Sequence, residues 1–465
     1  MRALHREWTR LTDRLLLRRS TGRTAIDGFQ IVVAPDDAAT ANRILTETTA
    51  RYLVLVRPGA VVSAKAVRQL ARRLRDDTFD LVYGDSRTSA GRRRRPPASS
   101  PYRLREEDHL GPVVLVSVPG LRALGGFRTA ADGAQLLDVA LRTSPDRVLR
   151  VRDVLGIEGP ALAPRDIDAE VRVTRAALAE AGVSATVGRA ERTRPVVYAV
   201  KDEPLVSVII PTRGGSGTIG GSSRVFVVDA VRSIIESSTW RHVELVVVAD
   251  DATPQSVVDA LVSVAGDRLR LVRWSEPFNF SAKMNRGAAV AKGEYLLMLN
   301  DDIEVVTPEW IDRMLGLVQQ PGVGMVGATL FFEDGTVQHL GHLYHRSAAG
   351  HAGFGLTPGR DASFEELTIT REVSGVTAAC ALLPTEVFRE VGGFSVAFPG
   401  NYNDVDLSLK VRSTGYAILN TGSARLYHFE SRTRDAQVLP EEIESLRRRW
   451  DAMMQLDEFE RSHEP

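Results

Sequence analysis

Residues 206–299 alternate short, β-branched apolar runs with amphipathic stretches, and this alternation constrains the fold more than any other feature. Val206–Ile210, Glu244–Val248, Leu269–Arg273 and Tyr295–Leu299 read as buried strands; Val227–Ser237, Ser256–Ala265 and Ala282–Ala291 read as helices. A β-α-β-α-β-α-β order demands a parallel sheet. In such a sheet ligands sit at the carboxyl ends of the strands. Two of these strands end in acids: Asp250-Asp251 after one, Asn300-Asp301-Asp302 after another. Adjacent carboxylates repel each other unless a cation or a sugar hydroxyl lies between them. A solvated turn or a helix cap is the alternative for either end alone, but two acidic ends on one edge favour a site.

The first part of the chain carries a similar alternation. Gln30–Val33, Tyr52–Val56, Asp80–Tyr83 and Val113–Ser117 read as strands, and Ala38–Ala50, Ser63–Arg75 and Gly133–Leu141 as helices. A second α/β layer with a mostly parallel sheet follows. The expected organisation is a basic amphipathic helix at 1–25, a domain at 26–160, a helical connector at 161–204, a larger domain at 205–435 and a helix within 436–465. In the larger domain Val323–Gly327 and Ala378–Leu383 read as strands, Asp404–Thr414 as a helix, and Thr336–Gly355 as irregular chain.

Charge and cysteine content narrow the function. The chain has 59 Lys plus Arg and 59 Asp plus Glu, so no overall field points to nucleic acid. Its single cysteine, Cys380, forms no internal disulfide, which fits a reducing compartment. No apolar run reaches the ~18 residues of a membrane span, and no hydrophobic signal region opens the chain. A cytoplasmic protein is expected. The helix at 1–25 carries Leu4, Trp8, Leu11 and Leu15 on one stripe and Arg2, Arg6, Arg10, Arg14 and Arg18 on another. It fits an anionic membrane surface or packing on its own domain, with the second favoured. Arg92–Arg95 are four consecutive arginines, a solvated loop or a phosphate or headgroup contact.

The two halves also repeat one pattern. Tyr52–Val56 followed by Arg57-Pro58-Gly59 matches Tyr295–Leu299 followed by Asn300-Asp301-Asp302. Gly125-Gly126-Phe127 matches Gly392-Gly393-Phe394, and Leu136-Leu137-Asp138 matches Asp404-Val405-Asp406. The apolar framework is kept in both, whereas the acids at 300–302 and 404 occur only in the second. One working site and one copy without the chemistry are expected.

The second copy combines carboxylates suited to a hard divalent cation, a glycine-rich stretch at Gly214–Ser223, and a carboxylate at a helix start, Asp404. Glycine backbone approaches a diphosphate closely, although no P-loop pattern is present. Asp404 is placed to act as general base on a hydroxyl. Together these describe group transfer from a nucleotide-diphosphate donor to an alcohol.

At Val206–Arg213, Phe278-Asn279-Phe280-Ser281, Leu299–Val305, Gly392-Gly393-Phe394, Asn403–Asp406 and Leu426–Ser431 the chain resembles the inverting glycosyltransferases of family 2, in particular bacterial O-antigen and cell-surface polysaccharide enzymes. The resemblance covers about 200–435, with 26–160 similar to a degenerate copy. It implies a GT-A fold preceded by a degenerate GT-A-like domain. It also implies Mg²⁺ or Mn²⁺ as cofactor, with Asp302 and His428 as metal ligands and Asp404 as the base. The donor, UDP- or dTDP-linked, would be held by Pro211, Thr212, Arg213, Asp250, Asn279, Lys283, Asn300 and Asp301. The acceptor, a glycan or polyprenyl-linked glycan, would meet His339, His351, Asn403 and Asp406. One departure stands out: Ala249 occupies the first of two positions that the family usually fills with acids, leaving Asp250 alone.

Two rival functions remain at this level. A non-catalytic glycan- or nucleotide-binding scaffold would follow if Ala249 marks decay of the site. A nucleotidyltransferase shares the cation and diphosphate chemistry. The histidines His339, His342, His345 and His351 match no common zinc spacing and have no cysteine with them, so a loop near the acceptor is expected instead. Trp310 is expected in the core and Trp274 as a possible sugar platform.

Overall fold

The structure, a computed structural model, describes residues 24–26, 28–74, 78–429, 438 and 440–459. The chain divides into two compact units, 1–196 with 459–465, and 197–458. The basic helix expected at 1–25 lies outside the described residues except for Thr24 and Ala25, which belong to a strand, Thr24–Ile26.

In the second unit the strands lie in the order Leu269–Trp274, Val243–Asp250, Val206–Thr212, Tyr295–Leu299, Cys380–Pro384, Val323–Phe331, Ala417–His428 and Ile303–Val305. The first four are parallel. Cys380–Pro384 then runs antiparallel to both neighbours, while Val323–Phe331 and Ala417–His428 are parallel. Leu296, Leu297, Met298 and Leu299 are fully buried. A strand covered on both faces carries a continuous apolar run rather than an alternating one.

The first unit uses the same order and polarity for six of its strands. Phe29–Val33 is parallel to Tyr52–Val56, and Val113–Ser117 is antiparallel to Tyr52–Val56 and to Leu81–Arg87. Leu81–Arg87 is parallel to Val148–Glu158, which Ala60–Val62 closes antiparallel. The sheet is mixed, not mostly parallel as the alternation suggested. A returning strand inserts between parallel ones, and hydrophobic periodicity carries no information on strand direction. Between its first two parallel strands this unit has the single helix Ala38–Glu47, where the second unit adds the Val243–Asp250 and Leu269–Trp274 strands.

Both units fasten a Gly-Gly-Phe turn in one way. In the first, the Asn42 side chain donates to Phe127 O (2.8 Å) and accepts from Phe127 N (2.9 Å). In the second, Asn285 donates to Phe394 O (2.8 Å) and accepts from Phe394 N (2.9 Å). The glycine before each phenylalanine has positive φ, 80° at Gly126 and 62° at Gly393. A Cβ there would lie 2.5 Å from Asn42 Oδ1 or 2.7 Å from Asn285 Oδ1, so only glycine admits the asparagine. The next helix ties back to the same turn: Arg142 donates to Gly126 O (2.9 Å) and Lys410 to Gly393 O (2.7 Å).

Where the second unit has Asn300-Asp301-Asp302, the first has Arg57, which is ion-paired to buried Asp108. Burial opposes ionisation of Asp108, but Arg57, Arg165 and Arg194 hold its carboxyl below the usual value. The helix expected in the connector is found at Ile167–Glu180 and packs into the core of the first unit. Ala169 and Val173 join the cluster of Leu53, Val114 and Leu137, and Arg194 is buried against Glu170.

Candidate active site

Parallel pairing brings the carboxyl ends of Val206–Thr212, Val243–Asp250 and Tyr295–Leu299 to one edge. Beside that edge is a cavity of about 450 Å³. It is lined by Pro211, Thr212, Arg213, Asp250, Lys283, Asn300, Asp301 and Asp302 from the strand ends and the following helix. Asn403, Asp404, His428 and His351 close the other side.

The donor-side floor is a chain of polar contacts. Thr212 Oγ1 donates to Asp301 Oδ2 (2.6 Å). Lys283, 1% exposed, donates to Thr212 O (2.8 Å) and to Asp250 Oδ1 (2.5 Å). Its cation is therefore committed beneath the strand ends, while Arg286 on the same helix is exposed. Burial, and then the charge of Asp302, push Asp301 up to about 6. Burial also opposes the charge on Asp302, but His428 beside it holds that carboxyl below its usual value. Two adjacent acids thus sit in unequal environments, the condition that a bound cation would relieve.

His428 ends its strand opposite Ile303 and places Nε2 3.2 Å from Asp302 Oδ1. Its Nδ1 lies 2.6 Å from Gln338 Oε1. A carbonyl oxygen only accepts, so Nδ1 carries a proton and Nε2 is the nitrogen that faces Asp302 and Asn300: protonated, it pairs with Asp302, and once it loses that proton it presents a lone pair to a cation held there. Metal-bound histidines are oriented in this way by a partner on the far nitrogen. Carboxylate oxygen plus imidazole nitrogen suits Mn²⁺ or Mg²⁺, and Asp302 and His428 fit such an ion.

Asp404 stands at the start of the Asn403–Ser413 helix, entered through Tyr402 at φ 57°. Its Oδ1 accepts from Val405 N (2.8 Å) and its Oδ2 from Ala378 N (3.4 Å). The first turn of a helix presents its positive end to this carboxylate. A group there can take a proton from a hydroxyl brought to the cavity.

Other expected residues fall elsewhere. Asn279 does not line the cavity: it caps the Phe280–Val290 helix, accepting from Ala282 N, and donates to Val396 O. Asp406 is fully buried on the opposite face of its helix, held by Trp450 Nε1 (2.8 Å), Arg449 (3.1 Å) and Lys410 (3.5 Å). It anchors the Pro440–Trp450 helix rather than meeting an acceptor. His339 is buried behind the wall, whereas His351 and Asn403 reach the cavity. Gly214–Ser223 is not a phosphate loop: Ser216–Ile219 and Ser222–Val225 pair as a hairpin outside the cavity. Ala249 is buried in the sheet and Asp250 faces the cavity. Trp310 is core and donates to Ser238 Oγ, and Trp274 does not line the site. Arg93 pairs with buried Asp85, whereas Arg94 stays half exposed beside Glu158.

The segment 336–355, read as irregular, contains Val337–His339 and the hairpin His342–His345 with Ala348–His351. This hairpin gathers His339, His342 and His351. Sequence reasoning named His342 only as one histidine of a loop near the acceptor, and missed Gln338 and Tyr402. Their only sequence signal is proximity to quoted motifs, because the contacts that define them span up to 90 residues.

The cavity, its acids and its helix-borne carboxylate lie at the carboxyl edge of an α/β sheet whose first four strands are parallel. Residues 207–392 match the family model described as glycosyl transferase family 2. The chain is 31% identical over 376 residues to the uncharacterized protein y4gI of Sinorhizobium fredii, spanning 75% of this chain and 40% of that protein. It is 33% identical over 359 residues to the O-antigen biosynthesis protein RfbC of Myxococcus xanthus, spanning 74% of this chain and 28% of that one. The chain thus spans less than half the length of these curated relatives. Among solved structures, GalNAc-T7 with UDP, GalNAc and Mn²⁺ is similar over 56% of this chain and 57% of its own, at 14% identity and a TM-score of 0.42. Among the described residues no helix is long and apolar enough to cross a membrane.

Proposed function

We propose that the second unit is an inverting, metal-dependent transferase that moves a sugar from a nucleotide-diphosphate sugar to a hydroxyl of a surface glycan or lipid-linked glycan. The observation that carries this reading is the placement of Asp404 on the same cavity as Asp301, Asp302 and His428. Asp404 takes the proton of the acceptor hydroxyl, whose oxygen attacks the anomeric carbon from the side opposite the diphosphate. The bond to the diphosphate breaks as the new glycosidic bond forms, so the configuration inverts. Asp302 and His428 would hold Mg²⁺ or Mn²⁺, which supplies charge neutralisation for the leaving diphosphate. Asp250, Thr212 and Asp301 orient the nucleoside, with UDP or dTDP as donor nucleotide. The O-antigen role of the Myxococcus relative supports a polysaccharide acceptor.

We further infer that the first unit is a copy of this fold without the chemistry. Its strand order, its Asn42 latch and the pairing of Arg57 with Asp108 support this reading. Placement at the inner face of the plasma membrane rests on residues 1–25, on the Arg92–Arg95 run and on a lipid-linked acceptor. Failure to sediment with anionic vesicles at low salt removes it.

A screen of UDP-, dTDP- and GDP-sugars with Mn²⁺ or Mg²⁺ tests the function, run on wild type, Asp302→Ala and Asp404→Asn. Nucleoside diphosphate released by wild type and lost in both variants is the expected result. Three indistinguishable proteins that release nothing would sink the reading and favour a binding scaffold; release of inorganic diphosphate would indicate a nucleotidyltransferase.

A further inference from the structure

His339, His342 and His351 bring ring nitrogens within 4.8 Å of one another beside Asp404. Such a cluster invites a metal, but the hydrogen bonds around it oppose one. Thr377 N donates to His339 Nε2 (3.2 Å), so the neutral ring carries its proton on Nδ1. That Nδ1 lies 2.7 Å from His351 Nδ1 and donates to it. A ligating histidine needs the reverse, a lone pair inward and an N–H outward, as His428 has through Gln338. Nitrogens ~2.1 Å from one tetrahedral zinc also lie farther apart than this pair, at about 3.4 Å.

His342 is arranged differently. Its Nδ1 is 3.5 Å from the Tyr344 hydroxyl, and its Nε2 is 3.8 Å from Asp404 Oδ2. Tyr344 is 1% exposed, and burial followed by the charge of Asp404 raises its hydroxyl well above its usual range. It stays protonated and can donate to Nδ1. His342 then carries its own proton on Nε2, facing the carboxylate. Burial lowers His342 to about 4 despite the opposing charge of Asp404, so the ring is a neutral donor near pH 7. The groups facing it are Asp404 from the Asn403–Ser413 helix, His351 and His339 from the adjoining strands, and Tyr344 on its own strand. Arg371 acts on His339, and Arg412 and Asp457 act on Tyr344.

We propose that His342 is a positioning residue for the catalytic base: its Nε2–H holds Asp404 Oδ2, Tyr344 sets its tautomer, and the His339–His351 pair walls its other side. The separation of 3.8 Å is longer than a hydrogen bond, and contacts of this kind tighten when substrates fill a site. The inference rests on Asp404 being the base. It assigns a role to a cavity-lining histidine through its approach to the base. Removing the donor leaves the carboxylate less favoured over its acid form, so activity fails at a higher pH as pH falls.

The test uses the full chain with Mn²⁺ and the donor identified above, reading nucleoside-diphosphate release with water as acceptor across about pH 5 to 9. His342→Ala should lower kcat by about tenfold near neutrality, leave the donor KM unchanged, and move the acid limb to higher pH. His342→Gln, which keeps an N–H near the Nε2 position, should recover most of the loss. Tyr344→Phe should move the limb in the same direction by less. A uniform loss at all pH values without recovery in His342→Gln means a merely structural histidine and overturns the proposal. Stoichiometric Zn²⁺ binding that His342→Ala abolishes overturns it in favour of a metal site. If Asp404→Asn stays active, the base assignment itself fails. If Asp404→Asn is inactive while His342→Ala matches wild type, only the role of His342 falls.

Discussion

Gln338 Oε1 accepts from His428 Nδ1 at 2.6 Å, and this bond decides which imidazole nitrogen faces the acids. Gln338→Leu frees the ring to adopt the other tautomer. Mn²⁺ affinity should fall about 10- to 100-fold, measured by titration of the donor-free protein. Gln338→Glu, which still accepts, should retain most of it. Equal affinity in the leucine variant would contradict the assignment of His428 as a ligand.

Asp301 is destabilising where it stands. Its folded carboxyl titrates near 6 against an ordinary 3.8, so the stability tied to its proton is complete below about pH 4 and lost as pH rises through 6. Asp301→Asn should therefore stabilise the metal-free protein near pH 7.5 by about 1–3 kcal/mol and give no gain near pH 4. Thermal melts at the two pH values decide it. The same change should weaken donor binding, a stability–activity trade-off at the site.

Lys283 is the only side chain with an ion pair to Asp250 among the described residues, and it also offsets the charge of Asp301. Lys283→Met leaves those acids without it. Donor KM should rise by about tenfold, with a stability loss of about 3 kcal/mol. A purely structural lysine would lower the melting midpoint and leave KM alone.

Asn42→Ala and Asn285→Ala each remove two backbone hydrogen bonds from a Gly-Gly-Phe turn. Each should cost about 1–3 kcal/mol in denaturant unfolding. Donor binding should survive Asn42→Ala. Its loss there would show that the first unit takes part in donor recognition.

The parallel half of the site could be read from residues because each strand is a continuous buried run and each helix shows its own period. Asp302 and Asp404 stood out for the same reason: charge at the end of an apolar element is conspicuous. Direction in the mixed half was not legible, since Cys380–Pro384 has the same composition whichever way it runs. Gly214–Ser223 was misread because glycine serves both phosphate loops and tight hairpins; here Gly220 and Gly221 make the turn. Asp404 and Asp406 are two residues apart and face different sides of one helix, so spacing argued for separate roles only in hindsight. The histidine hairpin was hidden because its partners are a strand pairing and distant residues, not a local pattern.

The Asn–Gly–Gly–Phe fastening includes neither Asp302 nor Asp404 nor, in the first unit, Arg57. Closure of the scaffold and the chemistry at its mouth are thus written in separate letters of the sequence. Substitutions can rewrite the second vocabulary while the first stays fixed. A chain built on this plan can carry one unit with acids at its strand end and another with an ion-paired arginine there, each free to drift at its strand ends without coming undone at the turn.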